Sequence, residues 1–580
     1  MPTPDLLLVP RPQLLTLHGD GPPADAELHA ERDESLRAEG YALDLTVDGA
    51  TLRYRDENGL RYGTAIFGQI RAQSHDHLPG LRIEDWPDFP VRGFMLDISR
   101  DRVPTRATLE RLVGLMALVR INQFQLYTEH TFAYRDHAAV WRDASPITPD
   151  DVHWLDGICR EVGIELVPNQ NCFGHMNRWL SHDAYRDRAE QPEGFELIPG
   201  IVLPASVLAP TPDNAEFALG LFSELLPNFT SRRVNVGCDE TFELGLGRSS
   251  EAVARDGREA VYFEHLRRLL DPLLDRGYAV QFYADVVRRA PHLVEQIPDG
   301  AVALAWTYEA PRPGDEPLHV SPALAEHLAK LGIDPSDHDG FAANVAPLAD
   351  HGQDFWVVPG TSSWNSLVGR IDNAKANLID AAEVGRARGA SGYVITDWGD
   401  NGHLQPPSVS FGPLVFGGAV SWSLAANHAL DLDAVLDRYV FEDAQGVLGG
   451  ALDALGRVWR GTGRRAFNAS PLQAALLPHQ GHLATGKPDP AKVHDVIDQI
   501  DTAVGAIERS APACVDGDLV RHELVTAARL ARLGAQQLIG TFKPADLEAV
   551  IDDQRTAWLA RSRPGGLRDS LAHLETTIAR

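Results

Sequence analysis

Residues 232–242 read Arg-Arg-Val-Asn-Val-Gly-Cys-Asp-Glu-Thr-Phe, a short apolar run closed by two adjacent acids, Asp239 and Glu240. Val234 and Val236 alternate with Asn235 and Gly237, which predicts a buried strand. A strand ending in two carboxylates holds them at its C-terminal mouth, pointing in different directions. Two acids that close cannot both ionise freely, so one of them is expected to carry a raised pKa. That is the raw material of acid/base chemistry. If Glu240 is the protonated member, it can give a proton to a leaving oxygen while Asp239 stays ionised. The same pair would equally suit an N-cap Asp and a first-turn Glu, so the surroundings must decide.

Those surroundings are rich in sugar-binding residue types. Trp306, Trp364 and Trp398 stand at the ends of three late apolar runs, with Trp356 inside one, in a chain with only eleven Trp. Flat indoles stack on the apolar faces of sugars and can enclose an acetyl methyl. Arg100 follows the run Met95–Ser99, and Asp400 follows Thr396-Asp397-Trp398-Gly399. An Arg and a carboxylate can bind vicinal hydroxyls, or they can pair with each other. Adjacent acids lack the geometry of two carboxylates facing each other across a glycosidic bond. The pair makes better sense if the nucleophile belongs to the substrate.

The elements that would position these residues are visible as a regular alternation. Eight apolar runs (Gly93–Ile98, Gln123–Tyr127, Ile164–Pro168, Val234–Gly237, Ala279–Tyr283, Val302–Trp306, Phe355–Pro359 and Tyr393–Thr396) alternate with helical stretches such as Thr105–Val119, Asp213–Leu226 and Val261–Leu274. Eight strand–helix units in about 330 residues predict an α/β fold of the (β/α)8 TIM barrel type rather than a doubly wound sheet. In a barrel the polar residues that close each run converge on one face. They are Arg100, Glu129 and His130, Asn169 and Asn171, Asp239 and Glu240, Asp285, Trp306, Ser362–Trp364 and Asp397–Asp400.

The barrel is expected over residues 91–428. Residues 1–90 predict a small α/β domain, with strands at Leu6–Val9, Ala42–Val47 and Thr51–Tyr54, a helix at Gly59–Ala72 and a linker at Leu81–Pro90. Residues 429–580 predict a helical region: Asp433–Phe441, Gly449–Arg460, Ala491–Arg509, Asp518–Ile539 and Ala545–Arg561 have helical periodicity.

Composition bounds the function classes. Eighty-one acids against 53 bases give a net charge of −28, a field that repels phosphate and argues against nucleic-acid or anionic-membrane partners. The N-terminus lacks the pattern of a signal peptide, and no apolar run reaches the roughly 18 residues of a membrane span. Four cysteines without paired spacing indicate neither a disulfide framework nor a zinc site, and a cytoplasmic location fits best.

The stretches Arg92-Gly-Phe-Met-Leu-Asp-Ile-Ser-Arg100, Gly174-His175, Gly237-Cys-Asp239-Glu240 and Trp398-Gly-Asp400 resemble, in order and spacing, glycoside hydrolase family 20, the β-N-acetylhexosaminidases. Gly59-Leu-Arg-Tyr-Gly63 is similar to that family's small N-terminal domain, so the resemblance covers about residues 1–425. It implies a cofactor-free, metal-free exo-acting enzyme that releases terminal β-linked GlcNAc or GalNAc from a glycan or glycoconjugate by substrate-assisted retaining hydrolysis. On that resemblance Glu240 is the acid and base, and Asp239 manages the 2-acetamido group through an oxazolinium intermediate. Trp306 and Trp398 wall the sugar, and Arg100 and Asp400 bind its hydroxyls.

Several positions depart from the family pattern. Asn171 stands where an acid is usual. Thr128-Glu129-His130 replaces two adjacent Asp, which leaves open whether Glu129 or His130 takes the first role. Asp285 follows Tyr283-Ala284 where a Trp is usual, and Ser362-Ser363-Trp364-Asn365 replaces a Tyr-x-Asp. Tyr283 and Tyr308 are candidates for the missing hydroxyl. His130 and His175 are candidates for a polar relay to Glu240. A sugar-binding barrel without turnover, and a metal-assisted hydrolase or lyase using Glu129, His130 and His175, are the alternatives. GlcNAc against GalNAc, the aglycone and the oligomeric state are left open.

Overall fold

The computed structural model describes residues 6–198, 200–286, 290–311, 326–329, 331 and 340–579. Its first unit is a five-stranded sheet: β1 (Leu14–Pro23), β2 (Leu28–Arg32), β3 (Tyr41–Thr46), β4 (Gly49–Tyr54) and β5 (His77–Asp85), ordered β1-β5-β3-β4-β2. The helix Glu57–Arg71 covers one face. It is N-capped by Asp56, whose side chain accepts from Gly59 N–H, and it buries Tyr62, Ile66, Phe67 and Ile70. Two expectations fail here. Leu6–Val9 is not a strand: the side-chain amides of Gln69 and Gln73, rather than a neighbouring backbone, bond Leu7 and Val9. Leu81–Asp85 is not linker but the second half of β5, with Leu81, Ile83 and Asp85 inward and Arg82 outward.

The second unit is a closed barrel of eight parallel strands. Its first three are β6 (Val91–Asp97), β7 (Gln123–Thr128) and β8 (Glu165–Gln170). A short hairpin, β9 (Phe195–Ile198) with β10 (Ile201–Leu203), interrupts the loop after β8. The barrel continues with β11 (Arg233–Asn235), β12 (Ala279–Tyr283), β13 (Ala301–Trp306), β14 (Phe355–Val358) and β15 (Gly392–Asp397), and β15 pairs with β6 to close it. All eight predicted runs are these strands. Side chains alternate between two cores, as the pleat requires. Phe94, Phe124 and Leu126 pack outward on the helices. Met95, Tyr127, Tyr283, Leu304, Trp356 and Val394 fill the interior. On one side the interior is polar: Gln125 bonds Gln123, Gln281, Asn169 and Asn235 through its amide, at 2.8–3.1 Å.

Buried charge joins the two units. Arg120 pairs with Asp85 at 2.5 Å and donates to the Tyr41 hydroxyl at 2.9 Å, while Trp422, at the end of the helix Pro407–Trp422, donates to Asp85 at 3.0 Å. The guanidinium of Arg120 lies 4.3 Å over the Trp422 ring.

The remainder is mainly helical, including Pro490–Arg509, Gly517–Leu538 and Pro544–Arg561 near their predicted places, with one short ladder of Arg465–Ala466 on Ala484–Thr485. The predicted Gly449–Arg460 helix is split into Leu448–Leu455 and a 3-10 turn, Val458–Thr462. Asp433–Phe441 ends in a π turn, and Pro471–Leu476 and Leu567–Ile578 are further helices the sequence reading did not separate. Among the described residues no helix is long and apolar enough to cross a membrane.

Candidate active site

Asp239 and Glu240 lie just past β11, on a backbone that turns sharply. Gly237, Cys238 and Glu240 all have left-handed φ, at 69°, 71° and 50°. The hydroxyl of Tyr262 donates to the Cys238 carbonyl, and the carboxylate of Asp285, past β12, accepts the Glu240 N–H at 3.2 Å. The two side chains differ in exposure: Asp239 is 8% exposed and Glu240 35%.

His175 joins them. Its Nε2 lies 3.4 Å from Asp239 Oδ2 and 3.4 Å from Glu240 Oε2, and its Nδ1 lies 4.0 Å from Glu129 Oε1. Burial alone would lower its pKa, but Asp239 and Glu240 outweigh that and hold the imidazole well above its usual range. The preceding Gly174 makes this approach possible, since a Cβ there would sit 2.2 Å from the Asp239 carbonyl oxygen.

Burial likewise pushes Asp239 up, but His175 and then Asn171 more than offset it, so Asp239 is held below the usual carboxylate range. The Asn171 amide donates to Asp239 Oδ1 at 2.7 Å and to the Tyr127 hydroxyl at 3.2 Å. Both oxygens of Asp239 therefore face donors, and the departure at Asn171 supplies a hydrogen bond where the family pattern has a charge.

Across the mouth, Arg100 ties the first strand to the last. It reaches Asp97 at 3.0 Å, Glu129 at 3.3 Å and Asp400 at 3.4 Å, with Tyr127 and Trp398 rings at 5.6 Å. Asp97 also accepts the Gly399 N–H at 2.9 Å, which closes the seam between β6 and β15. Burial pushes Asp400 up to about 6 against the pull of Arg100, and Glu240 adds to the rise. Glu129 is raised by burial and pulled back by Arg100 and His175.

An aromatic wall stands between these charges. Trp306 stacks on Tyr308 at 5.2 Å, and the Tyr308 hydroxyl accepts the Trp398 indole N–H at 2.8 Å. Trp398 meets Tyr127 edge-on at 4.8 Å. Trp364 is only 1% exposed: it sits behind Tyr308 and donates to Asn468, from the helical region, at 3.0 Å. Trp356 is buried inside the barrel, its indole on Ser391. Tyr283 is buried beside Trp398, and burial raises its pKa so that it stays a neutral phenol.

The structure thus brings together Asp239, Glu240, His175, Glu129, Arg100, Asp400, Trp306 and Trp398. His130 is elsewhere: its Nε2 lies 2.6 Å from Asp101, which also pairs with Arg178. Of the two residues left open after β7, Glu129 is the one beside Arg100 and His175. Glu129, His130 and His175 do not converge, and among the described residues no group of three or more His, Cys, Asp or Glu could hold a metal ion. Sequence reasoning passed over Asp97 and Asn468. Asp97 was legible as an acid inside an apolar run, whereas Asn468 carries no local signal.

The fold is a closed eight-stranded parallel barrel with acids and aromatics gathered past its strand ends. A family model described as glycosyl hydrolase family 20, domain 2, matches residues 12–86, and one described as glycosyl hydrolase family 20, catalytic domain, matches residues 89–265. The chain is 26% identical over 265 residues to a beta-hexosaminidase of Akkermansia muciniphila, covering 40% of this chain and 51% of that one. It is 23% identical over 288 residues to a beta-N-acetylhexosaminidase of Cellulomonas fimi, covering 45% and 57%. The chain spans about half the length of these relatives. A solved Flavobacterium johnsoniae chitobiase shares the fold at 13% identity, with a TM-score of 0.52 over 94% of this chain and 95% of that one. The N-terminal unit and the first part of the barrel, residues 12–86 and 89–265, are thus similar to glycoside hydrolase family 20.

Proposed function

We propose that the protein is an exo-β-N-acetylhexosaminidase that releases terminal β-linked GlcNAc or GalNAc from glycans, with the substrate's own acetamido oxygen as nucleophile. The observation that carries this reading is the sharing of His175 between two adjacent acids of unequal exposure. Asp239 is enclosed and ionised, while Glu240 is open to the cleft.

In this reading the sugar lies on Trp398 and Trp306 with its hydroxyls on Arg100 and Asp400. Glu240 protonates the glycosidic oxygen. The acetamido oxygen attacks the anomeric carbon, and the departing aglycone takes the proton. Asp239 accepts the acetamido N–H and stabilises the positive charge of the oxazolinium. Glu240, now a carboxylate, takes a proton from water as that water opens the ring, which retains configuration. An intramolecular nucleophile held in line is worth about 7–11 kcal/mol of barrier. The His175 cation and Glu129 form the relay that orients Glu240.

The test is turnover of the p-nitrophenyl β-N-acetyl sugars, with the anomer of the first product read by NMR. Expected are release of p-nitrophenol, a β-anomeric first product and tight inhibition by a thiazoline analogue of the oxazolinium. Glu240→Gln is expected to lower kcat by about 10²–10⁴. An intact fold with no release from either sugar overturns the reading.

A further inference from the structure

Two long loops carry the acid-handling residues: His175 is on the loop after β8, and Asp239 and Glu240 are on the loop after β11. Two fully buried carboxylates tie these loops together, and neither lies in the sugar site. Glu190, on the first loop, accepts from the N–H groups of Gly245 at 3.3 Å, Gly247 at 3.2 Å and Ser249 at 3.0 Å, and from the Ser249 hydroxyl at 2.6 Å. Glu243, on the second, accepts from the N–H of Ser206 at 2.6 Å and from its hydroxyl at 3.0 Å. The exchange is reciprocal, each loop giving the other a carboxylate. Gly247 fits only as glycine, because a Cβ there would lie 2.0 Å from the Glu190 carbonyl oxygen.

The connection to the site is short. The Ser206 carbonyl accepts the N–H of Met176 at 2.7 Å, and Met176 follows His175. His175 holds φ at 55°, a left-handed conformation that a residue with a Cβ keeps only when its neighbours over-determine it. Charge-assisted hydrogen bonds to buried carboxylates are strong enough to do so, and a buried carboxylate deprived of them is costly.

We propose that Glu190 and Glu243 form a cross-loop clamp that holds His175 against Asp239 and Glu240, which makes both of them positioning residues for the reaction. The kinetic part rests on the hydrolase reading above. Glu243 acts through Ser206 and Met176, and Glu190 shapes the segment 245–249 that follows Glu243. The charged group facing Glu243 is Glu190. Arg258, from the helix Arg258–Asp275, bonds the carbonyls of Thr241 and Leu244 on either side of it. Burial pushes the Glu243 carboxyl up to about 7, so its charge changes near neutrality.

The experiment compares wild type with Glu243→Ala, Glu243→Gln and Ser206→Ala, in steady-state kinetics on p-nitrophenyl β-GlcNAc across pH and in amide hydrogen exchange of the free protein. Glu243→Ala is expected to lower kcat about tenfold or more with little change in KM, since small misplacements of acid-handling groups are costly. Glu243→Gln keeps an oxygen acceptor for Ser206, so it should recover most of the rate and remove a pH-dependent change near pH 7. Exchange at Met176 and at 245–249 should quicken in Glu243→Ala. If that variant does not fold, Ser206→Ala, which loses one hydroxyl, should show the same changes at about two- to fivefold. Unchanged kcat and unchanged exchange at Met176, or a rise in KM alone, overturns the clamp. A wild type inactive on both chromogenic sugars overturns the hydrolase reading instead, and exchange then decides the clamp.

Discussion

Asn171 donates its amide to Asp239 at 2.7 Å while its own carbonyl oxygen accepts the Cys238 N–H at 3.1 Å. The backbone bond fixes which end of the amide faces Asp239, so the contact is always a donor to a carboxylate. Asn171→Asp would set a second carboxylate in that place. Like charges so close share a proton, and the pair's apparent pKa rises. The acid limb of the kcat/KM profile, which reports loss of the Asp239 charge, is expected to move up by about one unit or more. A profile that superimposes on wild type would show that Asp239 does not act as an anion.

Asp400 is pushed up to about 6 by burial, against the pull of Arg100. If its carboxylate receives sugar hydroxyls, KM should rise as pH falls through 6, and Asp400→Asn should lose that dependence along with affinity. The stability effect has the opposite sign. A carboxyl whose folded pKa lies above its unfolded value binds more protons when folded, so stability falls as pH rises through that window. Asp400→Asn is therefore expected to be more stable than wild type at pH 7, by about 1 kcal/mol after allowance for partial exposure. Thermal unfolding at pH 5 and pH 7 checks the sign.

His265 is wholly buried against Phe173, with ring centroids 4.3 Å apart, and burial lowers its pKa to about 3. The unfolded chain takes up this proton near pH 6.5 and the folded one does not. Stability contributed by the neutral ring is full above pH 6.5 and falls by about 1.4 kcal/mol per unit below it, down to about 3. His265→Leu should flatten the acid side of the stability curve. An unchanged slope between pH 6 and 4 would locate acid sensitivity elsewhere.

Arg120→Met would leave Asp85 buried with one cationic partner gone. Breaking such a pair from one side costs about 3–5 kcal/mol. The loss should appear as earlier unfolding of residues 12–86 relative to the barrel, read by proteolysis or hydrogen exchange. Loss of both units together would mean that they unfold as one.

Much of this architecture was legible because barrel strands announce themselves: Phe94, Phe124 and Leu126 alternate with residues of the interior, and polar residues follow each run. The N-terminal edge was harder to read. In β5, Pro79 and Gly80 break the alternation, and Pro87 suggests a connector. In the site, Asp239, Glu240, Arg100 and Asp400 were readable from their spacing. The role of Asn171 was not, since whether an amide donates or accepts depends on the Cys238 backbone, which only the folded turn supplies. Trp364 looked like a sugar platform at a strand end, but Asn468, more than a hundred residues later, draws it behind Tyr308. No local pattern could show that.

The seam between β6 and β15 has a consequence for how the protein is made. Arg100 and Asp400 meet only where the barrel's first strand finds its last, and Asp97 must wait for Gly399. A nascent chain emerging from the ribosome exposes both acids, Asp239 and Glu240, long before either side of the sugar cradle can close. Asn468 arrives later still to set Trp364. A chain interrupted between residues 240 and 398 would therefore carry the acid pair without the Trp398 and Asp400 side of the cradle.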